Sequence, residues 1–261
     1  MATLEQTVIR ASLEVGEFFR QHAFSYGTVD WKGKDNPVTG LDRRGEEIIR
    51  QHALGFAPAN FIGEELGKQC NGADHTWIID PLDGTKSLLR GELLCSVSIA
   101  VEHEGTLVVS AVYDFMRDVL YVAPEGEAYV QYRGERRPFT RFSGLSKKVL
   151  MVSDPSIAML DRLQREPGFL TKDRNGSIAL AMAQVASGTY DGYLHFGTGK
   201  GAVWDVAAGY HLLTKADVHL EDVEGNPFDY RNSQNGIIAL RRDTVESIAP
   251  ILAEVRDTKS R

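Results

Sequence analysis

The chain has 261 residues, of which 43% are hydrophobic and 25% are charged, and its formal net charge is −7. This is the composition of a globular protein with one large domain or two fused halves, and the acidic balance argues against nucleic acid or an anionic membrane as a partner. The two cysteines, Cys70 and Cys95, have no metal-ligand spacing. We find no signal peptide or membrane-spanning run, so we expect a cytoplasmic protein.

The first half of the chain predicts two helices followed by strands. Apolar residues at helical spacing predict a helix over residues 4–19, and a second helix is expected over residues 42–54. Short apolar runs at residues 61–62 and 76–79 lead into acidic residues and are typical of buried strands. β-rich stretches separated by turns follow between residues 95 and 132, which predicts an antiparallel meander.

The second half of the chain alternates between strands and helices. Strands are predicted over residues 149–152, 189–196, 218–220 and 236–240. Helices are predicted over residues 177–186, 206–213 and 245–255, the first of them closed by Gly188. Together the two halves favour a layered α+β or α/β architecture.

The sharpest chemical feature is the run Asp80-Pro81-Leu82-Asp83-Gly84-Thr85. Pro81 disfavours helix at Asp80 and so places Asp80 at the extended end of a strand. A helix that begins at Thr85 would point its free N–H groups towards an anion. The run therefore offers two carboxylates for a metal and a backbone cradle for phosphate, although a strand, a proline turn and an Asp helix cap would leave the same pattern.

Further acidic residues stand at similar positions along the chain. Glu64 and Glu65 follow an apolar strand, whereas Asp42 and Asp205 stand where helices begin, a position that also suits a simple cap. Two carboxylates about 4 Å apart repel by about 4 kcal/mol at an effective dielectric of about 20. Hard divalent cations remove that cost, and Mg²⁺ is the usual choice beside phosphate.

Three motifs in this order resemble those of the inositol monophosphatase superfamily. They are G-E-E at residues 63–65, D-P-L-D-G-T at residues 80–85 and W-D-V-A-A-G at residues 204–209. The resemblance also covers residues 37–42 and 185–188, so it extends over nearly the whole chain. It implies a five-layer α-β-α-β-α sandwich of the sugar phosphatase type, forming one phosphatase unit with subdomains of residues 1–145 and 146–261. It also implies a homodimer with a site between the two halves of each chain.

The resemblance implies the metal ligands residue by residue. Glu64, Asp80 and the backbone carbonyl of Leu82 would hold one Mg²⁺. Asp80, Asp83 and Asp205 would hold a second, and a third ion would lie near Glu64. The site would therefore take two to three Mg²⁺ ions.

The implied reaction is hydrolysis of a small phosphate monoester by metal-activated water. Asp42 and Thr85 would orient and deprotonate the attacking water, with Glu64 also among the catalytic residues. The amides of Gly84 and Thr85 would hold the phosphate. Such chemistry suits esters whose unaided hydrolysis is extremely slow, because two ions can act on the attacking and leaving oxygens together.

The preferred ester is less sharply indicated than the chemistry. Inositol 1-phosphate or a related sugar or polyol phosphate is the expected substrate, with histidinol phosphate, fructose bisphosphate and phosphoadenosine phosphate as alternatives. The alternatives stay open because Lys86-Ser87-Leu88 follows the D-G-T run and residues 196–203 contain no acid. Candidate substrate contacts are Lys86, Arg90, His195, Lys200 and Asp205. Lys86, Arg90, His195 and Lys200 equally suit a solvated surface.

A P-loop is excluded, and two other functions compete with this interpretation. The glycine-rich stretch 197–201 is not a P-loop, because Leu194 and Gly201 stand where that motif requires Gly and Ser or Thr. An aspartyl-phosphate phosphatase would carry D-x-D at a strand end, whereas two residues separate Asp80 from Asp83. A catalytically silent protein that binds metal or sugar phosphate is the alternative from a different class, although none of the expected ligands is missing.

Overall fold

The computed structural model describes residues 2–22, 29–31, 37–140, 147–154, 157–173, 176–197 and 201–259. Seven helices lie in these ranges: α1 (Leu4–His22), α2 (Gly40–Phe56), α3 (Thr85–Leu89), α4 (Ile157–Gln164), α5 (Ile178–Ala186), α6 (Val203–Thr214) and α7 (Arg242–Lys259). The strands of the same ranges are β1 (Val29–Trp31), β2 (Pro37–Thr39), β3 (Ala59–Gly63), β4 (Gly67–Gln69), β5 (His75–Asp83), β6 (Ser96–His103), β7 (Thr106–Asp114), β8 (Val119–Ala123), β9 (Tyr129–Tyr132), β10 (Glu135–Pro138), β11 (Lys148–Ser153), β12 (Phe169–Asp173), β13 (Gly192–His195), β14 (Val218–Glu221) and β15 (Ile237–Arg241). None of the described helices combines the length and the apolar character that crossing a membrane requires.

Two large sheets contain the strands from β3 to β15, and β1 pairs with β2 in a separate two-stranded sheet. The first has the order β10-β9-β8-β7-β6-β5-β3-β4, and its neighbours are antiparallel except for the parallel pair β3 and β5. The second has the order β12-β11-β13-β15-β14, in which β12, β11 and β13 are parallel and the other pairs antiparallel. The antiparallel meander predicted between residues 95 and 132 is confirmed as β6 to β9.

The helices and sheets stack as five layers. Their buried apolar side chains form three cores, the second of which includes both sides of the middle helix layer. The first core joins α1 and α2 to one face of the eight-stranded sheet. The second fills the space between the other face of that sheet, the helices α5 and α6, and the five-stranded sheet. The third packs α4 and α7 against the far face of the five-stranded sheet. The mixed α/β sandwich expected from the resemblance is confirmed.

Strand β5 is buried on both faces, which explains its continuous apolar sequence. Trp77 and Ile79 lie in the first core and Ile78 in the second, because successive side chains of a strand point to opposite faces. The middle layer relies on small residues instead. Gly209 of α6 lies so close to α5 that an added Cβ would stand 2.6 Å from Cβ of Met182. This tight packing holds α5 and α6 together, and α6 lies directly against β5 and β6.

Departures from prediction occur in both halves of the chain, and in the first half the short strands β1, β2, β4 and β10 were not predicted. The predicted strand over residues 189–196 begins only at Gly192, because the N–H groups of Thr189 and Tyr190 bond back to the carbonyl of Gln184 and prolong the end of α5. Helix α4 and strand β12 were not predicted. Helix α7 is longer than the predicted 245–255 and contains Pro250.

Candidate metal centre

The end of β5 carries two of the predicted carboxylates. Asp80 lies opposite Ser98 of β6, and pairing resumes only at Asp83, opposite Ser96, with an irregularity between them. Pro81 has no N–H to donate to the ladder, which accounts for the interruption. Residues three apart in a regular strand point to opposite faces. The irregularity therefore lets Asp80 and Asp83 present carboxylates to the same point.

Asp205 brings a third carboxylate to that point. It lies in the first turn of α6, where its Oδ2 accepts a hydrogen bond of 2.7 Å from the N–H of Ala202. One carboxylate oxygen from each of Asp80, Asp83 and Asp205 lies within 4.8 Å of the others. The three predicted metal-ligand aspartates are thus assembled from a strand of one sheet and a helix of the middle layer.

The carboxylate cluster is electrostatically costly. Burial raises the pKa of Asp80 well above its ordinary value, and repulsion from Glu64, Asp83 and Asp205 raises it further. Burial also raises the pKa of Asp83, as does repulsion from Asp205, while hydrogen bonds from Ser177 and Ala179 oppose the shift. Buried acids of this kind ionise readily only beside a compensating cation. The donor set of hard oxygens is the one that divalent Mg²⁺ or Ca²⁺ prefers.

Each aspartate of β5 is held by its own hydrogen bonds. The N–H of Leu82 donates to Oδ1 of Asp80 over 2.9 Å. Oδ2 of Asp83 accepts from the hydroxyl of Ser177 at 2.7 Å and from the N–H of Ala179 at 2.8 Å. Because both bonds fall on one oxygen, the orientation of the Asp83 carboxylate is fixed by the first turn of α5.

Asp42 and Thr85 form a hydrogen-bonded pair beside this cluster. The Thr85 hydroxyl lies 3.1 Å from Oδ1 of Asp42 and 2.9 Å from the carbonyl oxygen of Leu82. Asp42 is buried in the first turn of α2, with 2% of its surface exposed. The structure therefore brings together the two residues predicted to handle the attacking water.

Gly84 is required by the geometry of the turn before α3. Its φ is 93°, a left-handed value that disfavours any residue with a Cβ. An added Cβ would stand 2.5 Å from the carbonyl oxygen of Leu94 and 2.9 Å from the nitrogen of Ser177. Thr85 then begins α3, so its N–H has no partner within the helix.

The other predicted site residues are placed less uniformly. Glu64 is half-buried directly after β3 and raises the pKa of both Asp80 and Asp83 by repulsion. Lys86 and Arg90 are exposed on and just after α3, and Arg90 lies 3.8 Å from Glu92. His195 is not a solvated surface residue, because only 4% of it is exposed and its ring stacks on Tyr193 with centroids 6.0 Å apart. Lys200 lies outside the described residues.

Two residues that contact the site were not assigned roles from the sequence. Ser177 had been predicted only as the first residue of a helix, and it is the N-cap of α5 as well as a donor to Asp83. Glu46 is completely buried and accepts the N–H of Glu65, next to Glu64. Its spacing of four from Asp42 on a predicted helix was the available signal, since residues i and i+4 share a face.

Comparison with known proteins identifies the family of this chain. The profile of the inositol monophosphatase family matches residues 1–257. The chain belongs to the inositol monophosphatase family. Its members are metal-dependent phosphoric monoester hydrolases, and the carboxylates of β5 and α6 provide the acidic cluster that such an enzyme needs.

Individual relatives show the same membership, and a solved structure shows the same fold. The chain is 34% identical over 210 residues to an inositol-1-monophosphatase of Mesorhizobium japonicum, covering 76% of both chains. It is 30% identical over 265 aligned positions to the Nus factor SuhB of Escherichia coli K12, covering 97% of this chain and 95% of that one. The fold superposes on the IMPase of Thermotoga maritima with a TM-score of 0.79, at 23% identity and 96% coverage of each chain.

Proposed function

We propose that the protein is a Mg²⁺-dependent phosphomonoesterase that acts on inositol 1-phosphate or a related sugar or polyol phosphate. The observation that carries the proposal is the convergence of Asp80, Asp83 and Asp205, whose carboxylate oxygens lie within 4.8 Å of one another. The raised pKa values of Asp80 and Asp83, caused first by burial, support a cation at this point. The relative from Mesorhizobium japonicum is named an inositol-1-monophosphatase, which supports the choice of ester.

We propose that the site holds two to three Mg²⁺ ions. Asp80, Asp83 and Asp205 would hold one ion, and Glu64, Asp80 and the carbonyl of Leu82 another, with a third near Glu64. The Thr85 hydroxyl has one proton. When that proton is donated to Asp42, the Leu82 carbonyl oxygen, 2.9 Å from the hydroxyl oxygen, keeps its lone pairs for a cation. Bound Mg²⁺ supplies Lewis-acid stabilisation of the phosphate charge and lowers the pKa of water.

The protein's own groups would orient the water and the phosphate. The Thr85 hydroxyl, held between Asp42 and the Leu82 carbonyl, would accept a hydrogen bond from the attacking water and relay a proton to the Asp42 carboxylate. The amides of Gly84 and Thr85 would donate to the phosphate oxygens. Asp205, Lys86 and His195 are proposed to contact the alcohol portion of the ester, His195 from its buried position.

Several coarser properties belong to the same proposal. We infer a cytoplasmic homodimer whose partner is a small-molecule phosphate ester, without nucleic acid or membrane. We also infer two subdomains, residues 1–145 and 146–261. The described strands support this division, because the eight-stranded sheet draws on residues up to Pro138 and the five-stranded sheet begins at Lys148.

A panel of esters tests the proposed function. Purified protein is assayed for phosphate release from inositol 1-phosphate, fructose bisphosphate, histidinol phosphate and phosphoadenosine phosphate, with Mg²⁺, with EDTA and with added Li⁺. We expect Mg²⁺-dependent release that is greatest for inositol 1-phosphate or another sugar phosphate. If none of the esters is hydrolysed in Mg²⁺, the catalytically silent alternative replaces this proposal.

A further inference from the structure

The turn that follows β3 is hydrogen-bonded to a buried carboxylate. Glu46 of α2 has no exposed surface. Its Oε2 accepts the N–H of Glu65 at 2.8 Å and the N–H of Leu66 at 3.2 Å. These two amides immediately follow Glu64, so Glu46 is bonded to the backbone that carries a proposed metal ligand.

The other oxygen of Glu46 is bound by Arg50, one turn further along α2. The Nε and Nη2 atoms of Arg50 lie 3.0 and 2.7 Å from Oε1 of Glu46. Arg50 also donates to the carbonyl of Gly67 at 2.9 Å and to Oε1 of Gln69 at 3.1 Å. The guanidinium therefore joins Glu46 to β4, on the far side of the same turn.

The backbone of Glu64 is fixed from both sides. Its N–H donates to the carbonyl of Ile79, adjacent to Asp80, over 3.2 Å. On the preceding residue, a Cβ at Gly63 would overlap with Oε1 of Glu46, so only glycine permits this approach. The backbone that carries the Glu64 side chain is thus held between β5 and the side chain of Glu46.

Two residues of helix α2 make contacts at the proposed centre. Asp42 and Glu46 are four residues apart and share a face of the helix. Asp42 contacts Thr85 at 3.1 Å, and Glu46 contacts the turn after Glu64. One helical face therefore contacts both the residue pair proposed to handle water and the turn that carries a proposed cation ligand.

We propose that Glu46, held by Arg50, is a positioning residue that sets the location of Glu64 for divalent-cation binding. The assignment to cation binding rests on the proposed function, whereas the contacts stand independently of it. Charge is essential to the arrangement, because Glu46 accepts from two amides on one oxygen and from a guanidinium on the other. A glutamine has one acceptor oxygen and an amide group that only donates. Its amide group would therefore face either the backbone N–H groups or the Arg50 guanidinium, which are donors themselves.

The decisive measurement is cation affinity in the full chain, without turnover. Metal-free wild type and Glu46→Gln are titrated with Mg²⁺ by calorimetry and with Mn²⁺ by electron paramagnetic resonance. We expect the dissociation constant of Glu46→Gln to rise about 10- to 100-fold, the usual cost of losing a group that orients a ligand. With saturating Mg²⁺, we expect the remaining loss of kcat to be smaller than the loss of affinity.

Glu47→Gln is the matched control. Glu47 is the next residue of α2 and pairs with Arg44 at 2.8 Å, but 48% of its side chain is exposed. It loses the same charge without touching the turn, so its cation affinity is expected to equal that of wild type. A similar loss in both variants would show an effect of net charge and overturn the assignment.

Arg50→Lys provides a second test, because Glu46→Gln breaks a buried ion pair and risks unfolding. Lysine keeps the charge but cannot hold Glu46 and Gly67 with one planar fork. We expect a smaller loss of cation affinity in a protein with a cooperative thermal transition. If Glu46→Gln does not fold, Arg50→Lys alone decides. Unchanged cation affinity in the folded variant overturns the inference, whereas cation binding by wild type without ester hydrolysis overturns only the proposed function.

Discussion

The hydroxyl of Ser177 donates to Oδ2 of Asp83 over 2.7 Å and thereby links the start of α5 to the end of β5. The same hydroxyl oxygen accepts the N–H of Leu180 at 2.9 Å and lies 2.8 Å from the hydroxyl of Ser96. A serine has one hydroxyl proton. Since Asp83 receives that proton, Ser96 must be the donor to Ser177, and the chain of hydrogen bonds runs from β6 through the cap of α5 to the carboxylate.

Substitutions of Ser177 can distinguish its hydrogen bond to Asp83 from its role as the N-cap of α5. Ser177→Ala is expected to lower kcat at least tenfold, because Asp83 loses one of the two bonds that orient it. It is also expected to lower the free energy of unfolding by about 1 kcal/mol through loss of the cap. Ser177→Thr keeps both functions and is the control. Steady-state kinetics and thermal melts check the pair, and full activity in a destabilised Ser177→Ala would show that the serine acts only as a cap.

Sequence patterns located the carboxylates because each follows a local signal. Asp80 and Asp83 end an apolar strand, and Asp42 and Asp205 lie in first helical turns. The patterns also predicted the meander of the eight-stranded sheet, since turn residues separate its strands. Motif order then supplied the resemblance from which the five layers followed.

Contacts that form only when distant segments pack were not predictable in this way. The partner of Ser177 in β5 and the partners of Glu46 after β3 depend on how helices dock on sheets, which periodicity does not encode. The burial of His195 was also not predictable from the sequence. The sequence predicts a strand at His195 and leaves a solvated surface position open, but pairing of β13 between β11 and β15 buries the residue.

Acid is expected to destabilise the protein through His211. Burial, followed by the charge of Lys215, lowers the pKa of His211 from 6.5 to about 4. Between these two pH values the unfolded chain binds a proton at His211 and the native state does not. The free energy of unfolding therefore falls as the pH drops from 6.5 to about 4. The full loss is about 3 kcal/mol, from about 1.4 kcal/mol per pKa unit.

His211→Gln tests that origin, since glutamine does not titrate. Urea unfolding of the metal-free protein between pH 7 and pH 4 should show a flatter decline in the variant than in wild type. Ser110, which lies 3.2 Å from Nδ1 of His211, retains its contact with the carbonyl of Ala208. Parallel declines in the two proteins would assign the acid sensitivity to other groups.

The Thr85 hydroxyl is expected to be needed for turnover but not for folding. Thr85→Val keeps the shape of the side chain and removes the group that contacts Asp42 at 3.1 Å. We expect kcat to fall about 10²- to 10⁴-fold, the range for losing a positioned proton-transfer group. Thr85→Ser retains the hydroxyl and should keep most of the activity. A larger loss in Thr85→Ser than in Thr85→Val would point to packing of the methyl group instead.

Asp83→Asn should separate stability from activity. In the metal-free protein, burial and repulsion from Asp205 raise the pKa of Asp83. An acid whose pKa is raised on folding contributes stability below its unfolded pKa of about 3.9, and loses it as the pH rises through the folded value. At neutral pH the charge of Asp83 therefore opposes folding, and an uncharged amide of the same size removes that cost.

Thermal melts in EDTA at neutral pH should show Asp83→Asn at least as stable as wild type, while Mg²⁺ should stabilise it less and phosphate release should be abolished. Activity near that of wild type would refute a metal-ligand role for Asp83, and a lower melting temperature in EDTA would show that its hydrogen bonds to Ser177 and Ala179 outweigh the repulsion.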